Sequence, residues 1–425
     1  MWPERRCLEQ IAGRAVEKGR DCRTVDITIR RATEADWPAF AHVDSRNFGF
    51  RYTEQDLADA RLILEVERFF LAVDGADVVG LTGDYQFDMT VPGGSLSAAG
   101  VTWVSVSTTH RRRGVLTALL LEQHRSYLEE GYAVAILGAS ESGIYGRFGY
   151  GAATEIRRLE IDRRTAQVRR DVPESGPVRM IEAGEARTLL PALHDRWRRA
   201  TPGAVERDDG WWDFLLLDRE HRRHGLSSLF HTVHPDGFVT YRVRQQFNEG
   251  FPTNEVEVVD LFPVTAGAHA DLWRFLLSID LVGVIRTWHA PPGDPLPFLL
   301  DQPRQARTTN VSDDVWVRLL DVPAALAART YQVDGELVLE VLDSFLDRGG
   351  RFLLDGGPSG ATCVPTDRAP DLELGIAALG SLYVGGHTAR TLAQAGLVDE
   401  RTDGALQRAG LMFGTDRPAH CGTHF

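Results

Sequence analysis

Between Val101 and Thr117 the chain passes from an apolar strand pattern, ending Val104-Ser105-Val106, through Thr109-His110-Arg111-Arg112-Arg113-Gly114 into an apolar helix pattern that opens with Val115-Leu116-Thr117. The first turn of a helix presents N–H groups without intrahelical partners and the positive end of the dipole, so it is a ready site for an anion such as a pyrophosphate. Gly114 lets the backbone approach phosphate oxygens, and the arginines add forked donors. Arg-x-x-Gly alone fits a solvated basic turn as well, and the flanking apolar strand and helix favour the anion site. A second run, Ser142-Gly143-Ile144-Tyr145-Gly146-Arg147-Phe148-Gly149-Tyr150-Gly151, carries two phenols. A phenol can hand a proton to a leaving group, and on residue type alone either tyrosine could instead fill a packed turn. No Cys or Ser stands in a triad-like setting, which disfavours covalent catalysis through a side-chain nucleophile.

The elements around these residues alternate. Ile27 to Arg30 has strand alternation, and Thr33-Glu34-Ala35-Asp36-Trp37 opens a helix capped by Thr33. Phe69 to Val73, the turn Asp74-Gly75 and Val78 to Leu81 spell a hairpin. A helix over Leu116 to Leu128 and a strand over Ala133 to Leu137 follow. Val256 to Leu261 and Ala268 to Leu277 repeat the strand–loop–helix order, but their loop Pro263-Val264-Thr265-Ala266-Gly267 lacks the arginines. That reads as a duplicated, degenerate unit. A third segment is taken to begin with a strand at Trp316 to Leu320, then a helix opening at Val322-Pro323. Asp208 reads as the cap of a helix at Trp211-Trp212, and Arg219-Glu220-His221-Arg222-Arg223-His224 as a solvated helix face.

The chain has 425 residues, which at about 150 per domain allows two or three domains. Hydrophobic residues make up 43%, too many for a disordered chain. Forty-seven Lys and Arg against 60 Asp and Glu leave a net charge of −13, which disfavours nucleic acid as the partner and suits cationic substrates. The four cysteines form no C-x-x-C pair, so no metal is expected, and the absence of a signal peptide and of a long apolar run places the protein in a reducing cytoplasm, off the membrane. Cys421 reads as a buried, small apolar residue and His110 as a residue that orients the arginine loop.

Arg111-x-x-Gly114-x-Leu116 resembles the [RQ]-x-x-G-x-[GA] loop with which GCN5-related N-acetyltransferases hold the pyrophosphate of acetyl-coenzyme A, Leu116 departing from the small last residue. Thr109 to Gly114 together with Ser142 to Gly151, Asp321-Val322-Pro323-Ala324-Ala325-Leu326, Leu379-Gly380-Ser381-Leu382-Tyr383 and the terminal Phe425 are similar to the Eis family of bacterial N-acetyltransferases, which accepts Leu at that position. The resemblance implies an α+β fold of three units after an extension at 1–26. These are an acetyltransferase domain at 27–156, a second acetyltransferase-like domain without cofactor at 157–308, and a sterol-carrier-like domain at 309–425. It also implies a homohexamer, acetyl-coenzyme A as cosubstrate, and amine acceptors such as aminoglycosides, acetylated at several positions. Cofactor contacts carry over to Val104, Ser105, Val106, Arg112, Arg113, Gly114, Val115, Leu116, Thr117, Ser140 and Glu141, the proton donor to Tyr145, and the base to the α-carboxylate of Phe425. A carboxylate of pKa about 3.5 is a weak base, so it is expected to orient the amine as much as to deprotonate it. The backbone N–H of Val106 is expected to meet the acetyl oxygen. Phe48 and Phe50 either line a substrate mouth or pack a helix corner, and His424 stands where some relatives have an acidic residue. The alternatives are a protein-lysine acetyltransferase, or a lipid- or partner-binding protein with a vestigial transferase.

Overall fold

The structure, a computed structural model, describes residues 27–425; the extension expected at 1–26 lies outside the described residues. The first unit is built on β1 (Ile27–Arg31), β2 (Phe70–Asp74), β3 (Asp77–Val91), β4 (Gly94–Val106), β5 (Val134–Gly138) and β6 (Gly151–Ala152). They stand in the order β1-β2-β3-β4-β5, then the strand Val315–Leu319, then β6. Helices α1 (Trp37–Phe48), α2 (Glu54–Ala60), α3 (Val115–Glu129) and α4 (Ser142–Tyr145) complete it.

The apolar run at β2 shows why both faces are covered. Successive side chains of a strand point to opposite faces. Phe70 and Ala72 pack with Val115 and Leu119 of α3, while Leu71 joins Phe40 and Val43 of α1. At the helix start expected at Thr33, Thr33 and Asp36 form a capping box, and Thr53 and Asp56 form another at α2.

Two readings change. Val315–Leu319, taken as the opening strand of the third segment, pairs antiparallel with β5 and β6 in the first sheet. β5 would otherwise leave an apolar edge unpaired, and Val315, Val317 and Leu319 supply the matching buried row. Arg318 on this strand is fully buried. Its guanidinium donates to Asp343 at 2.7 Å and to the Phe148 carbonyl at 2.6 Å. Arg318→Met removes the charge and strands Asp343, so a loss of about 3–5 kcal/mol is expected in denaturant unfolding. Likewise the run Arg219 to His224 is only partly solvated: Glu220, His221 and His224 are exposed, but Arg219, His221 and Arg222 are paired. Arg219 bonds Asp59 at 2.8 Å, and His221 and Arg222 bond Asp56 at 2.8 and 2.6 Å, clamping the second unit to α2.

The second sheet runs Ala306–Asp313, Glu155–Asp162, Val282–Ala290, Asn254–Pro263, Gly237–Arg244, Phe230–His234, Arg179–Ile181. Asp208 caps the helix Asp209–Leu216 through Trp211 N–H at 2.8 Å, as expected. The third unit has five strands, Gly360–Pro365, Gly350–Gly357, Gly335–Leu342, Leu372–Gly375 and Val398–Glu400. Its core is continuous with that of the first unit: Phe40, Val317 and Tyr331 belong to one buried cluster. No helix among the described residues is long and apolar enough to cross a membrane.

Candidate active site

β4 and β5 run parallel and pair only from Ala98 to Gly100 and from Val134 to Ile136. β4 then continues to Val106 along β3, and β5 continues to Gly138 along Val315–Leu319. The two strands therefore separate, and the edge of β4 facing the gap is open. A bulge lies in this stretch of β4, between its pairings with Leu81 and Gly83, where Trp103 takes a φ of +53°. Bulges commonly sit beside active sites, where they re-aim side chains.

α3 starts at the open end of the gap. Its N-cap is Gly114, with φ +82° and no side-chain cap. The first N–H groups of the helix are thus left free for a ligand. Arg112 is also left-handed, at +62°. A Cβ at Gly114 would meet nothing, so the glycine answers a conformational need and leaves the approach open. His110 holds the loop, bonding Asp74 at 3.0 Å and Thr109 at 2.9 Å.

A cavity of about 1030 Å³ fills the gap. Val104, Ser105, Val106, Arg112, Gly114, Val115, Leu116, Thr117, Ser140, Glu141, Tyr145, Phe48, Phe50 and Phe425 all line it. Arg113 and His424 do not. Arg113 is exposed on the loop, and Arg111 takes the place in the wall. His424 is exposed while its neighbour Thr423 is buried, the alternation of an extended tail.

The two tyrosines separate cleanly. Tyr150 is fully buried and bonds His124 at 2.8 Å, a packing role. Tyr145 stands on the cavity wall, and burial, with the Glu141 carboxylate adding to it, pushes its phenol up to about 12. Phe425 reaches the same wall. Its ring packs on Phe87 at 4.8 Å and Tyr85 at 6.3 Å, over Gly100, where any Cβ would strike the Phe87 ring at 2.5 Å. Its carboxyl lies beside Gly138 at the end of β5.

Residues that the sequence reading passed over form the far wall. Tyr52 stacks on Trp103 at 5.3 Å and meets Phe50 edge-on at 4.8 Å. Tyr52 donates to Asp44 at 2.7 Å; burial raises the Asp44 carboxyl and this bond opposes the rise. Asn47 donates to Ser105 at 2.8 Å. Phe40, Val43, Asp44 and Asn47 follow helical spacing on one face, so a carboxylate among core positions was the available signal. The bulge at Trp103 had none.

The tail is held before it arrives. Arg207 donates to Thr423 Oγ1 at 3.0 Å and to the Gly422 carbonyl at 2.8 Å, and binds Asp260 through two bonds of 2.9 and 3.0 Å. Gly422 has φ +71°, and a Cβ there would sit 2.6 Å from Phe262 and 2.8 Å from Trp197. Gly422→Ala is expected to lower the melting temperature and to cut turnover about tenfold by displacing Phe425. Cys421 is fully buried, and burial pushes its thiol up.

Comparison with known proteins agrees with this geometry. Acetyltransferase (GNAT) domain families match residues 28–153 and 203–319, and a sterol carrier protein domain family matches 322–422. N-acetyltransferase Eis of Mycobacterium tuberculosis is 39% identical over 94% of this chain and 100% of its own length. The chain belongs to the Eis family of N-acetyltransferases. An N-acetyltransferase of Streptomyces avermitilis is 36% identical over 93% of this chain and 98% of its own. The crystal structure of Eis1 from Mycobacterium abscessus superposes with a TM-score of 0.84 at 33% identity, covering 94% of this chain and 100% of that one. As an Eis-family member the chain is an acetyltransferase with two GNAT units and a sterol-carrier-like unit, and GNAT enzymes use acetyl-coenzyme A. The uncapped start of α3, the arginines beside it and the open edge of β4 fit that cosubstrate.

Proposed function

We propose that this Eis-family enzyme transfers acetyl directly to primary amines of polycationic small molecules, aminoglycosides at several positions. The observation that carries the reading is one cavity whose wall holds the start of α3, Tyr145 and the carboxyl end of Phe425. When bound, acetyl-coenzyme A supplies an activated carbonyl and a thiolate leaving group. The N–H groups of Val115, Leu116 and Thr117 with Arg111 and Arg112 would hold the pyrophosphate, Arg113 adding charge from the rim. The open edge of β4, with Val106 as the expected donor, offers an N–H to the acetyl oxygen. The Phe425 carboxylate accepts from the ammonium, orients it and helps remove its proton. Tyr145, kept protonated by its raised pKa, donates to the departing sulfur.

Asp44, Glu141 and the Phe425 carboxylate place negative charge around the mouth, and Phe48, Phe50, Tyr52 and Trp103 offer aromatic faces to cations. Both favour an acceptor with several ammonium groups. The test is thiol release from acetyl-coenzyme A with several aminoglycosides, a polyamine and a lysine peptide, with mass spectrometry of the products. Aminoglycosides should turn over fastest and gain more than one acetyl group. Turnover confined to the peptide would overturn the reading in favour of a protein-lysine acetyltransferase. The homohexamer and a cytoplasmic setting are carried within the same proposal, with light scattering as the measure of the first.

A further inference from the structure

Two carboxylates reach the wall of the first unit's cavity from different directions. Phe425 comes at the end of the tail, which passes through an opening in the second unit between Asn254–Pro263 and Val282–Ala290. Those strands pair in parallel only as far as Val258 and Thr287, and beyond that each stays with its outer neighbour. Gly422 lies there against Phe262, and the ring of His424 stands 6.2 Å from that of His289. Asp44 comes instead from the last turns of α1, beside Asn47 and Phe48 in the same wall. Behind the wall the rings of Phe425 and Tyr85 lie 6.3 Å apart, and the Tyr85 phenol is near enough to Tyr52 to disfavour its ionisation. An aromatic row therefore runs from one carboxylate to the other.

Asp44 is 4% exposed, and a carboxylate buried to that degree is unfavourable unless a cation or several donors match it. One donor does: the Tyr52 hydroxyl bonds Oδ2 at 2.7 Å, held in place by the stack of Tyr52 on Trp103. No Lys, Arg or His among the described residues pairs with Asp44, whereas Asp56 and Asp59 of α2 each meet an arginine. Oδ1 has no partner among the described residues, and it is not sealed off; it keeps surface on the cavity that Asp44 lines. Burial accordingly raises the Asp44 carboxyl, with the Tyr52 bond opposing the rise. Glu141, the third carboxylate of the wall, is exposed, so water and salt screen its charge. Asp44 is the buried acid whose free oxygen faces the cavity and whose counter-charge the described chain does not supply.

We propose that Asp44 Oδ1 holds an ammonium of the acceptor other than the one being acetylated, so that the enzyme adds one acetyl group fewer than the number of ammonium groups the acceptor can present. The inference rests on the reading of the acceptor as an amine with several ammonium groups. In each transfer the amine nitrogen bonds the acetyl carbon as the carbon–sulfur bond breaks. Of the protons the ammonium sheds, one ends on the thiol of coenzyme A and the other passes through the Phe425 carboxylate to water. The product nitrogen is a neutral amide, which carries no charge for Asp44. A diamine is therefore acetylated once and becomes a poor substrate, whereas a triamine is acetylated twice.

The full-length enzyme is given α,ω-diamines graded in length from putrescine to decamethylenediamine, each beside the alkylamine of the same length and its own mono-N-acetyl derivative. Thiol release from acetyl-coenzyme A gives kcat/KM, mass spectrometry counts the acetyl groups, and calorimetry on the coenzyme A complex gives amine affinity apart from turnover. At the best length the diamine should exceed both monocations at least tenfold in kcat/KM and in affinity, and should gain one acetyl group. Asp44→Asn keeps the shape and the Tyr52 bond but removes the charge, and should bring both ratios to within about twofold. Asp44→Ala should do the same, and serves if the amide variant is unstable. A diamine no better than its matched monocations at any length, a preference kept in both variants, or a second acetylation as fast as the first overturns the proposal. Turnover without the preference leaves the acetyltransferase reading standing. Diamine-selective binding that is lost in Asp44→Asn, with no turnover of any amine, would support Asp44 and fault that reading alone.

Discussion

A chain ending at His424 is expected to bind coenzyme A as the full protein does and to turn over about 10³-fold more slowly. The cradle at Gly114 does not involve the tail, whereas the Phe425 carboxyl lies in the cavity by Gly138 and its ring fills the space over Gly100. Deletion removes both, and the carboxylate moves back to a residue outside the cavity wall. A chain lengthened by one glycine separates the two effects, because it keeps the Phe425 ring on Phe87 and shifts only the charge. Its melting temperature should hold while turnover falls. Steady-state rates with an aminoglycoside and calorimetric coenzyme A binding decide it. Unchanged turnover in the lengthened chain would sink the role given to the carboxylate.

Tyr145→Phe should lose about 10²-fold in kcat with little change in KM for the cosubstrate, since the ring stays and only the proton donor goes. The pH profile adds a sharper check. Burial and the nearby Glu141 carboxylate both disfavour the phenolate, moving the phenol up to about 12. The proton therefore stays on Tyr145 well above pH 10, where an ordinary phenol has half lost it. The rate should rise with pH as the acceptor amine becomes neutral, and should stay level through pH 10. A descending limb centred near 10 in the wild type, absent from Tyr145→Phe, would refute the raised pKa while keeping Tyr145 as donor; an unchanged kcat in Tyr145→Phe would refute the donor role.

Much of the first unit was legible because its signals are local. Thr33 and Asp36 cap a helix from three residues apart, Asp74-Gly75 turns a hairpin, and Gly114 marks a helix start in a conformation that suits glycine. The site residues carried by the family resemblance largely share one cavity. What escaped depends on distant partners. The sequence 315–319 reads equally well as the first strand of a new unit; only the vacant edge of β5 assigns it to the first sheet. Arg219 to Arg222 look solvated until Asp56 and Asp59 of α2 arrive opposite them. The turn of Trp103 into the cavity depends on a register shift between two strands, which no spacing within β4 encodes. Arg111 and Arg113 are chemically equivalent, and which one meets the cavity depends on the left-handed backbone at Arg112.

The tail threaded between Asn254–Pro263 and Val282–Ala290 bears on how a duplicated protein divides its labour. After a gene duplication both copies begin with an opening fit for a nucleotide cosubstrate. Here the opening of the second unit holds the terminal segment of its own chain, anchored by Gly422 and Arg207. The two occupants exclude each other. Under the role proposed for Phe425, a nucleotide in the second opening would displace the segment that carries it, so the architecture can keep two half-built catalysts or one whole one.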